Sequence, residues 1–384
     1  MRIVYVINSG ERGGAEKHTL DLAEGMVNKG HDVFIWLEEG PLGADFEEIG
    51  ASVIKRKIGL DIDPSYILAL RKFLKQEKID VVHAQKLKAA GNAMLAGFLA
   101  GTKVRISHTH TPISEWQVSS FKKLLNSRLF YTPLVNMFST RELALTITRK
   151  RTKVDEGIRE SKLEIIPNGV KIDDFEVDDL KRLEYRQEIL SRYDIPQDAY
   201  VFGALGRLSI EKGIPVLLYA FHRFFNSASV DKDKTYLLIA GGGDLKGHLQ
   251  AKIKELGLVK NVIMPGVPFE EEDKVKFFSA FDCFVFPSLA EGFGLVLIEA
   301  MSMSLPIICS DLEVLQEVGG SSVMFFETEN PESLSEKMYN LYSKKDRLDN
   351  IKHDARERVE KLYTIEIFVN NYETLYFELL GTQV

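Results

Sequence analysis

Two carboxylates, Glu291 and Glu299, stand with seven residues between them in the stretch 281–306, FDCFVFPSLAEGFGLVLIEAMSMSLP. Residues 283–286 are an apolar, aromatic-rich run of strand type, Pro287 and Ser288 end it, and residues 295–303 are mostly good helix formers. Glu291 therefore falls in a turn with two glycines, and Glu299 about a turn and a half into the helix that follows. This geometry suits a nucleotide-linked substrate. The backbone N–H groups of Phe293, Gly294 and Leu295 would face an anion such as a diphosphate. Glu299 could accept hydrogen bonds from ribose hydroxyls, and Glu291 could hold another polyol. Spacing alone would equally describe two surface glutamates beside a turn.

Other residues point to similar chemistry. In GALGRLSIEKG (203–213), Arg207 and Lys212 are five apart in a loop between a strand and a helix, so both can lean over one crevice. Two cations suit a diphosphate, whose charge grows as it leaves. Gly13 and Gly14, in GGAE, sit where the first strand hands over to the first helix, and glycines let backbone approach a phosphate closely. The loop is not a P-loop, because Ala15 stands where that motif needs glycine, and no G-x-G-x-x-G follows a strand. The missing fingerprint argues against a dehydrogenase. His108 and His110 follow a strand's carboxyl end, where ligands meet open parallel sheets. His83 closes another strand and reads as structural, with lining of an acceptor cleft as the alternative. Asp61 and Asp63 form a D-x-D, but in a loop before Pro64, a chance match; no metal site and no cofactor are expected.

The elements that must hold these residues are strands alternating with helices. Strand-like runs at 3–7, 33–37, 53–54, 80–83 and 104–107 alternate with helices at 15–28, 66–76 and 89–100, which predicts a doubly wound parallel sheet. A second such run begins near Tyr200, with strands at 201–205, 235–240, 262–263, 283–286 and 306–309. The expected organisation is a first domain over 1–170, a polar linker over 171–194, a second domain over 195–360, and a tail helix over 361–384 that rejoins the first domain. A chain of 384 residues exceeds one comfortable core, which agrees with two domains. The net charge of −7 argues against a nucleic-acid partner. The cysteines, Cys283 and Cys309, both lie in apolar strand-like runs, so buried thiols and a reducing, cytoplasmic setting are expected. The N-terminal MRIVYVINSG reads as a first strand and not a signal peptide, and no apolar run approaches the ~18 residues of a membrane span. Residues 121–153 carry eight cations (Lys122, Lys123, Arg128, Arg141, Arg149, Lys150, Arg151, Lys153) against one acid, Glu142, with apolar residues between. Such a basic amphipathic strip is a candidate surface for an anionic membrane; a solvated helix face is the alternative.

EGFGLVLIE (291–299), with FVFPS before it and EAMS and LPII after, resembles the E-x7-E motif of the retaining glycosyltransferases of family 4. The G-R-L…K-G of residues 206–213 and the G-G-A-E loop resemble that family too. The resemblance implies the GT-B fold, two Rossmann-like domains facing each other across a cleft. It implies that Arg207 and Lys212 bind the phosphates of a nucleoside-diphosphate sugar, UDP-linked by preference, that Glu299 holds its ribose, and that Glu291 orients its sugar. Gly14 would contact the donor from the opposite side of the cleft, and a histidine at the end of the fifth strand, His110 or else His108, would hydrogen-bond the transferred sugar. The backbone of Val267 would meet the nucleobase. The glutamates would not be the acid and nucleophile of a glycosidase; a front-face mechanism without an enzyme nucleophile and without a bound divalent ion is implied. The acceptor would be a glycan or a lipid-linked sugar of surface-polysaccharide or lipopolysaccharide synthesis. Departures from the pattern occur at Ser304, where the family usually has glycine, and across 311–318, which lacks its common Gly-Gly-x-x-Glu. The rival readings are an epimerase or a phosphorylase on the same fold, and a non-catalytic nucleotide-sugar-binding subunit.

Overall fold

The apolar run at the N-terminus is β1 (Arg2–Ile7), and it lies inside a seven-stranded sheet rather than at its edge. The structure, a computed structural model, describes residues 1–11, 13–110, 113, 131–266, 271–343 and 349–382. After β1 come β2 (Asp32–Leu37), β3 (Ser52–Lys55), β4 (Val81–Gln85), β5 (Val104–His108), β6 (Arg141–Ala144) and β7 (Leu163–Ile165), in the spatial order β3-β2-β1-β4-β5-β6-β7. Every ladder is parallel. The period of two in a strand sends alternate residues to opposite faces. Ile3, Tyr5 and Ile7 join one core with Leu22, Met26, Phe368 and Tyr372, while Val4 and Val6 join the other with Tyr66, Leu70 and Ala93. Both faces are thus covered, which is why the strands read as continuous apolar runs.

A second parallel sheet holds β8 (Tyr200–Leu205), β9 (Thr235–Ala240), β10 (Val262–Ile263), β11 (Cys283–Phe286), β12 (Ile307–Ser310) and β13 (Met324–Phe326), ordered β10-β9-β8-β11-β12-β13. These are the two α/β sheets of a GT-B fold. The chain divides into two compact units, Met1–Gly169 with Ile365–Val384 and Val170–Thr364. The segment 179–192, polar enough to read as linker, is a helix of the second unit (Asp179–Arg192). Its Ile189 and Leu190 are buried, and Arg186 donates to Ala280 O at 2.8 Å and to Asp282 Oδ2 at 3.0 Å. Cys283 and Cys309 are buried free thiols.

In both sheets the strand order reverses once, between β1 and β4 and between β8 and β11. Loops at the carboxyl ends of those strands border the crevice where such sheets bind ligands. Residues 8–11 and 85–86 occupy this place in the first unit, residues 206–213 and 287–291 in the second.

The basic strip is corrected by the fold. Residues 121–130 lie outside the described ones. Of the rest, Arg149 and Lys153 are buried, at 6% and 2% exposure, on the inward side of the helix Ile147–Asp155. Glu142, the strip's lone acid, is the partner of Lys153, and Lys150 pairs with Glu160 at 3.4 Å. The described part is therefore not a continuous basic face. Among the described residues no helix is long and apolar enough to cross a membrane.

Candidate active site

In the second unit Lys212 and Glu291 come together at the switch point. Gly213 (φ +63°) closes the loop after β8, and a Cβ there would lie 1.9 Å from Pro287 O. The N–H of Leu289 donates to Glu211 O at 2.7 Å, so the Arg207–Lys212 loop is laid directly against the loop after β11. Across that seam Lys212 Nζ donates to Glu291 Oε1, which also accepts from Ser288 Oγ at 2.8 Å. Lys212 Nζ also lies 5.5 Å from the centre of the Phe286 ring, within cation–π range. Arg207, on the same loop, is exposed, and its carbonyl accepts from Ser209 N at 3.0 Å. On the other side, Leu208 N donates to Gly242 O at 2.8 Å and Leu245 N to Leu208 O at 3.1 Å, which ties the loop to the end of β9.

Gly294 (φ +95°) caps the helix Leu295–Ser302, and Phe293 is buried just before it. The first N–H groups of a helix have no partner inside it and favour negative charge. Glu299 is the fifth residue of this helix, 6% exposed, with Lys274 Nζ 2.9 Å from its Oε1. Sequence reasoning missed Lys274 and Ser288: the lysine comes from a different helix, Glu271–Ala280, and no local pattern links it to Glu299. Val267 lies outside the described residues; its neighbour Gly266 packs against the end of the Lys246 side chain.

In the first unit Gly13 is the extended N-cap of the helix Gly14–Asn28, and Gly14 is exposed. Glu16, in the first turn, is buried and paired with Lys86 Nζ. Lys86 follows β4 directly with φ +69° and ψ 160°, a region almost reserved for glycine, and its N–H donates to His108 O at 2.9 Å. His108 and His110 stack with ring centroids 4.1 Å apart, and His18 meets both edge-on at 4.9 and 4.7 Å. His110 Nε2–H donates to Gln85 Oε1 at 2.8 Å; the amide N–H of Gln85 donates to His83 Nε2 at 3.3 Å; His83 Nδ1–H in turn donates to Tyr376 Oη at 2.7 Å. His18 Nδ1–H donates to Asn168 Oδ1 at 2.6 Å, which ties Asn168 to the first helix. His108 is fully buried and His110 only partly, so His110 is the one with an edge open to a ligand.

Burial is the largest cause that holds the His83, His108 and His110 imidazoles well below their ordinary range, with neighbouring histidines adding to it and Lys153 acting on the latter two. Burial also lowers His18 to about 4, against a partial opposing effect of Asn168. All four are neutral at physiological pH, each able to donate at one nitrogen and accept at the other. His18, His108 and His110 each offer a ring nitrogen within 4.8 Å of the others and could share a transition-metal ion. The D-x-D at Asp61 has an ordinary role: Asp63 caps the helix Pro64–Gln76, accepting from Tyr66 N at 3.1 Å, Ser65 Oγ at 2.8 Å and Gly59 N at 2.9 Å. Of the residues missed, Gln85 was within reach of the strand-end rule that found His108, because the two are register partners on β4 and β5.

Comparison with known proteins gives this geometry a context. Residues 12–174 match the family model described as Glycosyltransferase Family 4, and residues 186–358 that of Glycosyl transferases group 1. The chain is 24% identical over 383 residues to the O-antigen biosynthesis glycosyltransferase WclY of Escherichia coli, covering 99% of both proteins. It is 26% identical over 308 residues to the UDP-Gal:alpha-D-GlcNAc-diphosphoundecaprenol alpha-1,3-galactosyltransferase of Escherichia coli, covering 78% of this chain and 76% of that protein. Its fold matches the crystal structure of Anabaena Alr3699/HepE in complex with UDP, with a TM-score of 0.83 at 19% identity, over 98% of this chain and 99% of that one.

Proposed function

We propose that the chain, a glycosyltransferase of the GT-B fold, moves a hexosyl group from a nucleoside-diphosphate sugar, UDP-linked, to a glycan or lipid-linked acceptor in surface-polysaccharide synthesis, with retention at the anomeric carbon. The relatives' names supply the biological setting, O-antigen synthesis in one and a diphosphoundecaprenol-linked acceptor in another. The observation that carries the reading is the Lys212–Glu291 bond, which joins the loops after β8 and β11 at the switch point. A cation and a carboxylate meet there beside a helix start, so groups suited to a diphosphate and groups suited to a polyol share one small region.

In this mechanism the C1–O bond to the diphosphate breaks and its electron pair goes to the departing phosphate oxygen. Lys212, Arg207 and the N–H groups at Gly294 and Leu295 stabilise the charge that develops there. The acceptor hydroxyl forms the new C1–O bond from the same side, and its proton passes to the leaving diphosphate. Glu291, fixed by Lys212 and Ser288, orients the donor sugar, and Glu299, fixed by Lys274, holds the ribose. The first unit contributes His110 as a hydrogen-bond partner of a substrate sugar hydroxyl.

The test is Glu291→Gln, assayed as UDP release from UDP-glucose, UDP-galactose and UDP-N-acetylglucosamine, using whichever the wild type consumes. Loss of orientation should lower kcat about 10²-fold with UDP affinity nearly unchanged. Wild-type turnover in the variant would remove Glu291 from the reaction. NMR of the product's anomeric proton reads retention directly.

A further inference from the structure

Past His108 the fifth strand loses its ladder: its register with β6 ends at His108↔Leu143 and its register with β4 at Gln85↔His108. Thr109 and His110 nevertheless need a defined course, since stacking and the Gln85 bond fix only the His110 ring. What meets Thr109 instead is a buried ion pair. Glu142 on β6 and Lys153 on the helix Ile147–Asp155 are 0% and 2% exposed. Glu142 Oε1 accepts from Thr109 Oγ1 at 3.1 Å and from Thr109 N at 3.4 Å. Lys153 Nζ donates to Thr109 Oγ1 at 3.0 Å, to Leu143 O at 2.5 Å, and to Glu142 itself. Tyr131 Oη adds a further bond to Thr109 Oγ1 at 3.2 Å.

A buried ion pair is weak as a stabiliser. Desolvation offsets much of its attraction, and replacing both partners together is often neutral or favourable. Here the pair bonds Thr109 and one strand carbonyl, and Thr109 stands between the two histidines. We infer that Glu142 and Lys153 are positioning residues for transfer: through Thr109 they set the backbone that aims the His110 imidazole. The inference rests on His110 being the sugar-contacting histidine. It also gives Lys153 a task that a basic surface strip would not.

The experiment compares Glu142→Gln/Lys153→Met, which removes both charges at once, with His110→Ala and with all three substitutions combined, on the full chain. The readouts are the thermal midpoint and kcat and KM for the UDP-hexose that the wild type turns over. The expected result is a folded double variant with kcat lower by about 10- to 100-fold, donor KM little changed, and no further loss when His110→Ala is added. Wild-type kcat in the double variant, beside a slow His110→Ala, overturns the pair's role alone. Losses that multiply in the triple variant overturn it as well, because the pair would then act elsewhere. Wild-type kcat in His110→Ala removes the histidine reading and the pair's role with it. Should the double variant fail to fold, Thr109→Val keeps the pair and removes the hydroxyl that both of its members bond. Slow turnover that is not compounded by His110→Ala supports the inference, and wild-type turnover overturns it.

Discussion

Lys212 does two things with one ammonium group. It holds Glu291, and it stands on the loop that also carries Arg207, ready for an anion. This depends on how closely the two loops approach, and Gly213 sets that approach. Its φ of +63° is costly for any residue with a side chain, and a Cβ would lie only 1.9 Å from Pro287 O. Gly213→Ala therefore carries roughly 1–2 kcal/mol of backbone strain in addition to forcing the loops apart. The expected outcome is a lower thermal midpoint together with weakened UDP binding by calorimetry, since Lys212 moves with the loop. A variant that loses stability but binds UDP as before would show that the seam does not set the position of Lys212.

The helix Ile147–Asp155 shows how far a local pattern can mislead. Its apolar Ile147 and Val154 are 52% and 37% exposed, while Arg149 and Lys153 point inward. Composition alone suggests the opposite arrangement, because the countercharge for Lys153 comes from Glu142 on a strand eleven residues earlier. A substitution scan of this helix should split by burial and not by charge. Arg151→Ala, on the exposed side, should stay within about 0.5 kcal/mol of wild type. Lys153→Ala leaves a buried carboxylate without its ammonium and should cost about 3–5 kcal/mol in denaturant unfolding. Equal effects at the two positions would mean that the inward pair is not formed. The strands fared better than this helix. β1, β2, β8, β9 and β11 are largely apolar runs because both faces of each sheet are covered, so fold class and switch-point loops could be read from the chain. The short, partly polar β3, β6 and β7 give weaker signals, and pairs such as Lys274–Glu299 join separate elements with no period to reveal them.

At the scale of the whole molecule the two units differ in how they hold histidine. Met1–Gly169 with Ile365–Val384 buries His18, His83 and His108 and partly buries His110, whereas His222, His248 and His353 of Val170–Thr364 are not buried. Burial is the largest cause of the lowered values of His18, His83, His108 and His110. A folded-state value below the unfolded one means that the unfolded chain binds the proton more readily. Stability of the first unit is then complete above about pH 6.5 and falls as the pH drops below it, by about 1.4 kcal/mol per pH unit for each such group. For His18, whose folded value is about 4, the loss amounts to roughly 3 kcal/mol by the bottom of that window. His83, His108 and His110 act in the same direction, so the first unit should lose further stability as the pH falls below about 6.5. Calorimetry and tryptophan fluorescence across this range report the difference, because the chain's tryptophans, Trp36 and Trp116, both belong to the first unit's stretch of sequence. The fluorescence midpoint should move to lower temperature as the pH falls from neutral, while a calorimetric component from the second unit moves less. A fluorescence midpoint that stays constant down to the carboxylate range would show that the four imidazoles are not held neutral by the fold.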